Sequence, residues 1–187
     1  MSALDDWCTT HGATYSARWE FEHVINLACN VPRYGRPHVV LELGSHAGAS
    51  LAVWRYAFDP SFLIGMEAED SERTRAGLDP LEADGAIVIY GKTYEPDTYR
   101  QVLHALDGLW IDFLYIDADH GFEAVVSDFE MYAPLVRDGG LIVLDDAVTR
   151  DVPGTEVHRF VDVLRQRGPT SLIYGGGDSG GKLVVFR

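Results

Sequence analysis

Cysteine is almost missing from this 187-residue chain, which has only Cys8 and Cys29. Two thiols are too few for a disulfide framework and lack metal-ligand spacing, so reduced thiols in a cytoplasmic protein are expected. Long apolar runs are also missing. None approaches the roughly 20 residues that cross a bilayer, and the acidic start MSALDDWCTT lacks the apolar core of a secretory signal. No Lys/Arg cluster offsets the formal net charge of −14. Such a surface repels phosphates, which argues against a nucleic-acid partner, and nothing in the pattern suggests a membrane. There is no internal repeat and no linker long enough to divide the chain. What is present, 47% hydrophobic and 11% aromatic residues, is the composition of a globular protein with a substantial core. One domain over 1–187 is expected, with an N-terminal helical segment at 1–37 and a core at 38–187.

The core is organised around the stretch VVLELGSHAGAS, residues 39–50. An apolar run reads as a buried strand, and glycines at 44 and 48 let the chain turn sharply into a helix whose first N–H groups are unpaired. Such a turn favours a carboxylate or phosphate above it, although many α/β turns use glycine with no ligand. Upstream, Ala17, Phe21, Val24, Ile25 and Ala28 recur on one helical face. Downstream, apolar strands are predicted at 39–43, 62–66, 86–90, 111–116 and 141–144. They alternate with helices marked by Leu51, Trp54 and Phe58, by a polar stretch at 71–79, by 94–106, by Phe122 to Val136, and by Val157, Phe160, Val161 and Leu164. Asp138–Gly139–Gly140 is read as the terminator of the fourth of these helices. Two further strands, 171–174 and 183–186, flank a glycine-rich hairpin loop. The pattern predicts a doubly wound, Rossmann-like α/β fold with a mostly parallel sheet, an antiparallel C-terminal strand and helices on both faces.

In such sheets ligands bind beyond the carboxyl ends of the strands. The residues just past four strand ends are Gly44, Glu67, Asp117 and Asp145, so three acids face one crevice. Glu67 follows Gly44 by 23 residues, near the spacing at which an acid binds a ribose diol; alone it would read as a solvated strand-end acid. Asp117, Asp145 and Asp146 form a second constellation. Carboxylates crowded in one cleft repel unless a cation or shared proton neutralises them, and oxygen-only ligands suit Mg²⁺ or a similar hard divalent ion. Strand-end aspartates also serve as helix caps or satisfy loop N–H groups. His120, three residues past Asp117, has the ordinary pKa of a general base near neutrality; in isolation it would be a surface or capping residue.

The segments ELGSHAGAS, IGMEAE and DFLYIDADHGFEAVVSDFEMYAPLVRDGGLIVLDDA resemble the class I S-adenosylmethionine-dependent methyltransferases. The likeness is strongest to the metal-dependent small-molecule O-methyltransferases of macrolide-sugar and catechol type, and it covers roughly residues 38–147. It implies that the turn holds the methionine part of S-adenosylmethionine through Gly44 and Gly48, with Glu42, Ser45, His46, Ser50 and Asp117 completing the cofactor seat and Glu67 on the ribose. It implies Asp117, Asp145 and Asp146 as metal ligands and His120 as the catalytic base. Many relatives carry an acid after the third-strand glycine, where this chain has Lys92 after Gly91.

The expected reaction is methyl transfer to a hydroxyl of a small molecule such as a sugar, glycoside or catechol. Residues 1–37, the 147–157 loop and a second subunit would shape the acceptor pocket, which makes a homodimer one expected assembly. A nicotinamide-dependent oxidoreductase is the rival enzyme, but the turn is G-x-x-x-G and lacks the G-x-G-x-x-G pyrophosphate fingerprint. A non-catalytic cofactor sensor of the same fold is the other alternative; it has no need of mutually repelling acids.

Overall fold

The strand Val39–Leu43 (β1) is apolar along its length except for Glu42, and all five residues are buried. A strand of this kind has both faces covered and belongs at the centre of a parallel sheet. The computed structural model, which describes residues 18–30, 35–150, 152–173 and 180–187, places it there. After helix α1 (Arg18–Asn30) and β1 come α2 (Ala49–Phe58), β2 (Phe62–Glu67), α3 (Glu72–Ala83), β3 (Ile87–Tyr90) and α4 (Pro96–Leu106). They are followed by β4 (Ile111–Ile116), α5 (Phe122–Tyr132), β5 (Val136–Leu144), α6 (Val157–Arg167), β6 (Thr170–Ile173) and β7 (Lys182–Phe186). The expected irregular stretch at 1–15 lies outside the described residues.

The strand order is β3-β2-β1-β4-β5-β7-β6. The pairs from β3 to β5 are parallel, and β7 runs antiparallel between β5 and β6, as the doubly wound reading expects. Alternate residues of the strands feed two cores. Leu41, Leu43, Ile64, Leu114 and Ile116 pack with Val102 of α4, Val125 of α5 and Phe160 of α6. Val40, Phe113 and Tyr115 pack on the other face with Phe21 of α1, Trp54 of α2 and Leu78 of α3. Trp54 is fully buried, with ring centroids 4.8 Å from Phe113, 5.1 Å from Tyr115 and 5.2 Å from Phe21. Tilted rings of this kind add to what area burial alone supplies. Among the described residues no helix is long and apolar enough to cross a membrane.

Element boundaries differ from the sequence reading by more than two residues in two places. The third helix runs to Ala83, through Pro80, and does not stop at 79. Pro80 removes one backbone donor, but Leu78 and Leu81 are buried on the sheet, and the Asp84 N–H donates to the Pro80 and Leu81 carbonyls and the Ala86 N–H to the Leu81 carbonyl, which closes the end. The second difference lies after α5. That helix ends at Tyr132, a 3-10 turn spans Ala133–Leu135, and Asp138, Gly139 and Gly140 lie inside β5. Pro134 lacks the N–H that would carry the α-helical ladder onward, and no buried pair beyond it offsets the loss as at Pro80. The two glycines instead form an irregularity in the ladder, because pairing shifts between Ile111 opposite Val136 and Phe113 opposite Leu141.

The register aligns the functional end. Leu43 pairs with both Met66 and Ile116, and Ile116 pairs with Leu144, so four strands finish level. Strand order reverses between β1 and β4, which opens the crevice at that point.

Candidate active site

The turn after β1 is built from its backbone outward. Gly44 and Ser45 donate their N–H groups to the Met66 carbonyl at 2.9 and 2.8 Å, which ties the turn to β2. Gly44 has φ +85°, and a Cβ there would lie 2.1 Å from the Asp117 carbonyl oxygen. The absent side chain is thus where the turn meets the loop after β4. His46 sits at φ +45°, and its N–H donates to Glu67 Oε2 at 2.6 Å, while the Glu69 N–H donates to Oε1 at 2.8 Å. Two backbone donors hold the Glu67 carboxylate in one orientation at the end of β2, with lone pairs left to accept from a diol.

A cleft of about 830 Å³ opens over these strand ends. Gly44, His46, Glu67, Asp117 and His120 line it, with residues 153–155 of the loop expected to shape the acceptor pocket, and they are joined by residues that carried little signal in the sequence: Ala68 after β2 and the segment 91–94 after β3. Lys92 lines this rim, its ammonium 5.7 Å from the centre of the Tyr94 ring. Glu42, Ser45, Gly48 and Ser50 lie beneath or beside the turn and do not line the cleft. Glu42 is fully buried and accepts from the Ser50 hydroxyl at 2.7 Å.

Burial pushes the Glu42 carboxyl up to about 8, and the neighbouring charge of Asp117 adds to this against the Ser50 hydrogen bond. In the unfolded chain the group ionises near its ordinary 4.5. The native state therefore holds a proton that the unfolded state releases, and this share of stability is lost as pH rises through that window, with a slope of at most about 1.4 kcal/mol per pH unit. Glu42→Gln is expected to flatten the decline between about pH 5 and pH 8 in urea unfolding of the ligand-free protein. Identical pH slopes for variant and parent would contradict it.

Asp117, His120, Asp145 and Asp146 converge from the ends of β4 and β5. His120 Nδ1 lies 3.1 Å from Asp146 Oδ2, and Nε2 lies 3.5 Å from Asp117 Oδ1. Asp146 also accepts from the Thr149 hydroxyl at 3.1 Å. The hydrogen bond with Asp117 raises the His120 pKa, as do the charges around it, against its partial burial. Burial and the Asp145 charge raise Asp117 in turn.

Asp145 is held differently. Its Oδ1 accepts from Lys182 Nζ at 2.7 Å and from the Asp146 N–H at 2.8 Å, and its Oδ2 accepts from the Tyr115 hydroxyl at 2.5 Å. Lys182 and Tyr115 were not identified from sequence; the only signal was a lysine opening an otherwise apolar strand, KLVVF. Among the described residues no group of three or more His, Cys, Asp or Glu side chains is arranged to hold a metal ion. The donor set still fits a hard divalent ion in kind, because it is all oxygen and carries more negative charge than its protein partners cancel.

Residues 41–147 match the model of a family described as a methyltransferase domain. The chain is 28% identical over 148 residues to the demethylmacrocin O-methyltransferase of Streptomyces fradiae, covering 79% of this chain and 33% of that protein. It spans half or less of the length of the curated relatives it matches. In fold it is similar to an O-methyltransferase from Bacillus cereus in complex with SAH, with a TM-score of 0.69 at 18% identity over 98% of this chain and 90% of that one. It is also similar to the MycE methyltransferase of the mycinamycin pathway in complex with Mg and SAH, at 0.64 and 19% over 99% and 54%. The family match takes in the end of β1, the glycine turn, Glu67, His120 and the paired aspartates after β5. The chain therefore belongs to the methyltransferase domain family.

Proposed function

We propose that the protein transfers a methyl group from S-adenosylmethionine to a hydroxyl of a small molecule, with His120 as the base. The observation that carries this is the position of His120, braced between two carboxylates in the same cleft as the backbone-pinned Glu67. Gly44 and His46 would take the amino-acid end of the cofactor and Glu67 its ribose, while Gly48, Ser45, Ser50 and Glu42 fix the turn from below. When bound, the cofactor supplies an electrophilic methyl on a sulfonium. The chain does the rest: it orients the acceptor hydroxyl and removes its proton. The shorter contact, Nδ1 to Asp146, sets the imidazole plane, and Nε2 takes the proton. The imidazolium that results is stabilised by Asp117 and Asp146.

The proposal extends to a divalent ion such as Mg²⁺, held by Asp117, Asp145 and Asp146, with Asp145 shared between that ion and Lys182. Such an ion would acidify a hydroxyl bound beside it. The Mg bound in the MycE complex supports this part, as does the all-oxygen donor set.

The test is a transfer assay with methyl-labelled S-adenosylmethionine across sugars, glycosides and catechols, with calorimetry of SAH and NAD beside it. Label on a hydroxyl and heat from SAH alone are expected, with turnover falling after EDTA dialysis and returning with Mg²⁺. Heat from NAD alone would favour the oxidoreductase. SAH binding with no transfer to any acceptor would favour a sensor, and turnover untouched by EDTA would remove the ion.

A further inference from the structure

Lys182 opens β7, and because that strand runs antiparallel to β5, with Leu183 opposite Leu144, its side chain is delivered to Asp145. The residue is 2% exposed. Its ammonium lies 2.7 Å from Asp145 Oδ1 and 3.3 Å from Glu20 Oε2 of α1. The Phe21 and Tyr115 rings close around it, with centroids 4.7 and 5.6 Å away. A lysine in this setting is costly unless paired. Two carboxylates, at 2.7 and 3.3 Å, supply that pairing. The ammonium stays charged, boxed by two carboxylates and two aromatic faces.

We propose that Lys182 is a resident cation of the site, whose hold on Asp145 sets how strongly the three aspartates bind a divalent ion. This rests on the divalent-ion part of the function proposed above. The physical reason is competition. One Asp145 oxygen is already committed to an ammonium, and a second cation on the same carboxylate meets like-charge repulsion inside a site that screens poorly. Glu20 works in the opposite sense. It takes part of the lysine's charge from the side of α1, so the N-terminal helix is tied electrostatically to the carboxylates after β5. The arrangement makes Lys182 a positioning residue, acting through Asp145 without reaching the cleft.

The test uses Mn²⁺ as the probe, titrated into the full chain and followed by electron paramagnetic resonance, with SAH calorimetry on the same samples. Lys182→Met is expected to tighten Mn²⁺ binding about tenfold or more, and Glu20→Gln to weaken it. Lys182→Arg, which keeps the charge, should stay close to the parent. The gain in Lys182→Met should vanish when Asp145→Asn is added, which separates an effect through Asp145 from a general change in site charge. Unchanged affinity in both single variants, or a shift of both in one direction, overturns the proposal. Should Lys182→Met fail to fold, Glu20→Gln and Lys182→Arg decide: a weaker site in the first with a parental site in the second supports it, and any other pair of results overturns it. A parent protein that binds no SAH counts against the methyltransferase reading, and the Mn²⁺ comparison would still stand.

Discussion

His120→Ala is expected to lower turnover by about 10²–10⁴-fold, the usual scale for a general base, while SAH affinity stays close to the parent's. The split follows from position. The imidazole is held by Asp146 at 3.1 Å and Asp117 at 3.5 Å, and neither contact passes through the Glu67 carboxylate or the Met66 carbonyl that organise the side of the cleft proposed for the cofactor. The pH dependence gives a second readout. A histidine can act as a base only when neutral, and the hydrogen bond with Asp117 raises the His120 pKa above the ordinary 6.5. The acid limb of kcat/KM is therefore expected to turn down at a pH above 6.5, and the residual activity of the alanine variant should lack that limb. A variant with parental turnover would remove the histidine from the chemistry. One that lost SAH binding would make it a cofactor residue.

Gly44→Ala should have an effect of similar size on the other half of the site. At φ +85° an alanine pays for a left-handed backbone, about 1–2 kcal/mol, and its Cβ would fall 2.1 Å from the Asp117 carbonyl oxygen. That neighbour is backbone at the end of a buried strand and has little room to retreat. The β1 turn and the β4 loop must separate, which moves the residues proposed for the amino-acid end of the cofactor away from Asp117 and His120. SAH affinity is expected to fall by about 10²-fold or more (≈ 3 kcal/mol), with a thermal unfolding midpoint several degrees lower. Parental SAH affinity would show that the turn does not seat the cofactor.

Much of this architecture was legible in the sequence because it depends on short-range pattern. VVLEL and IDFLYI are continuous apolar runs, and both became central strands at the expected bounds. The level strand ends follow from parallel order, so the sequence alone places Glu67, Asp117 and Asp145 at one edge of the sheet. The stretch from Phe122 to Leu144 was harder. Its helical periodicity carries on to Val136, and Asp138–Gly139–Gly140 looks like a helix terminator, yet a strand partner, Ile111, claims Val136. Pairing across the sheet outweighed a local stop signal. The surroundings of Asp145 were not legible for the same reason. Its partners are Tyr115 one strand away and Lys182 thirty-seven residues later, and only the antiparallel placement of β7 makes the lysine a neighbour.

The most direct measurement is a crystal structure with SAH bound. The account predicts the ribose on the Glu67 carboxylate, the homocysteine end at the Gly44–His46 turn, and the sulfur on the side of the cleft that holds His120. A ligand seated away from Glu67, or turned so that its sulfur faces away from His120, would contradict it.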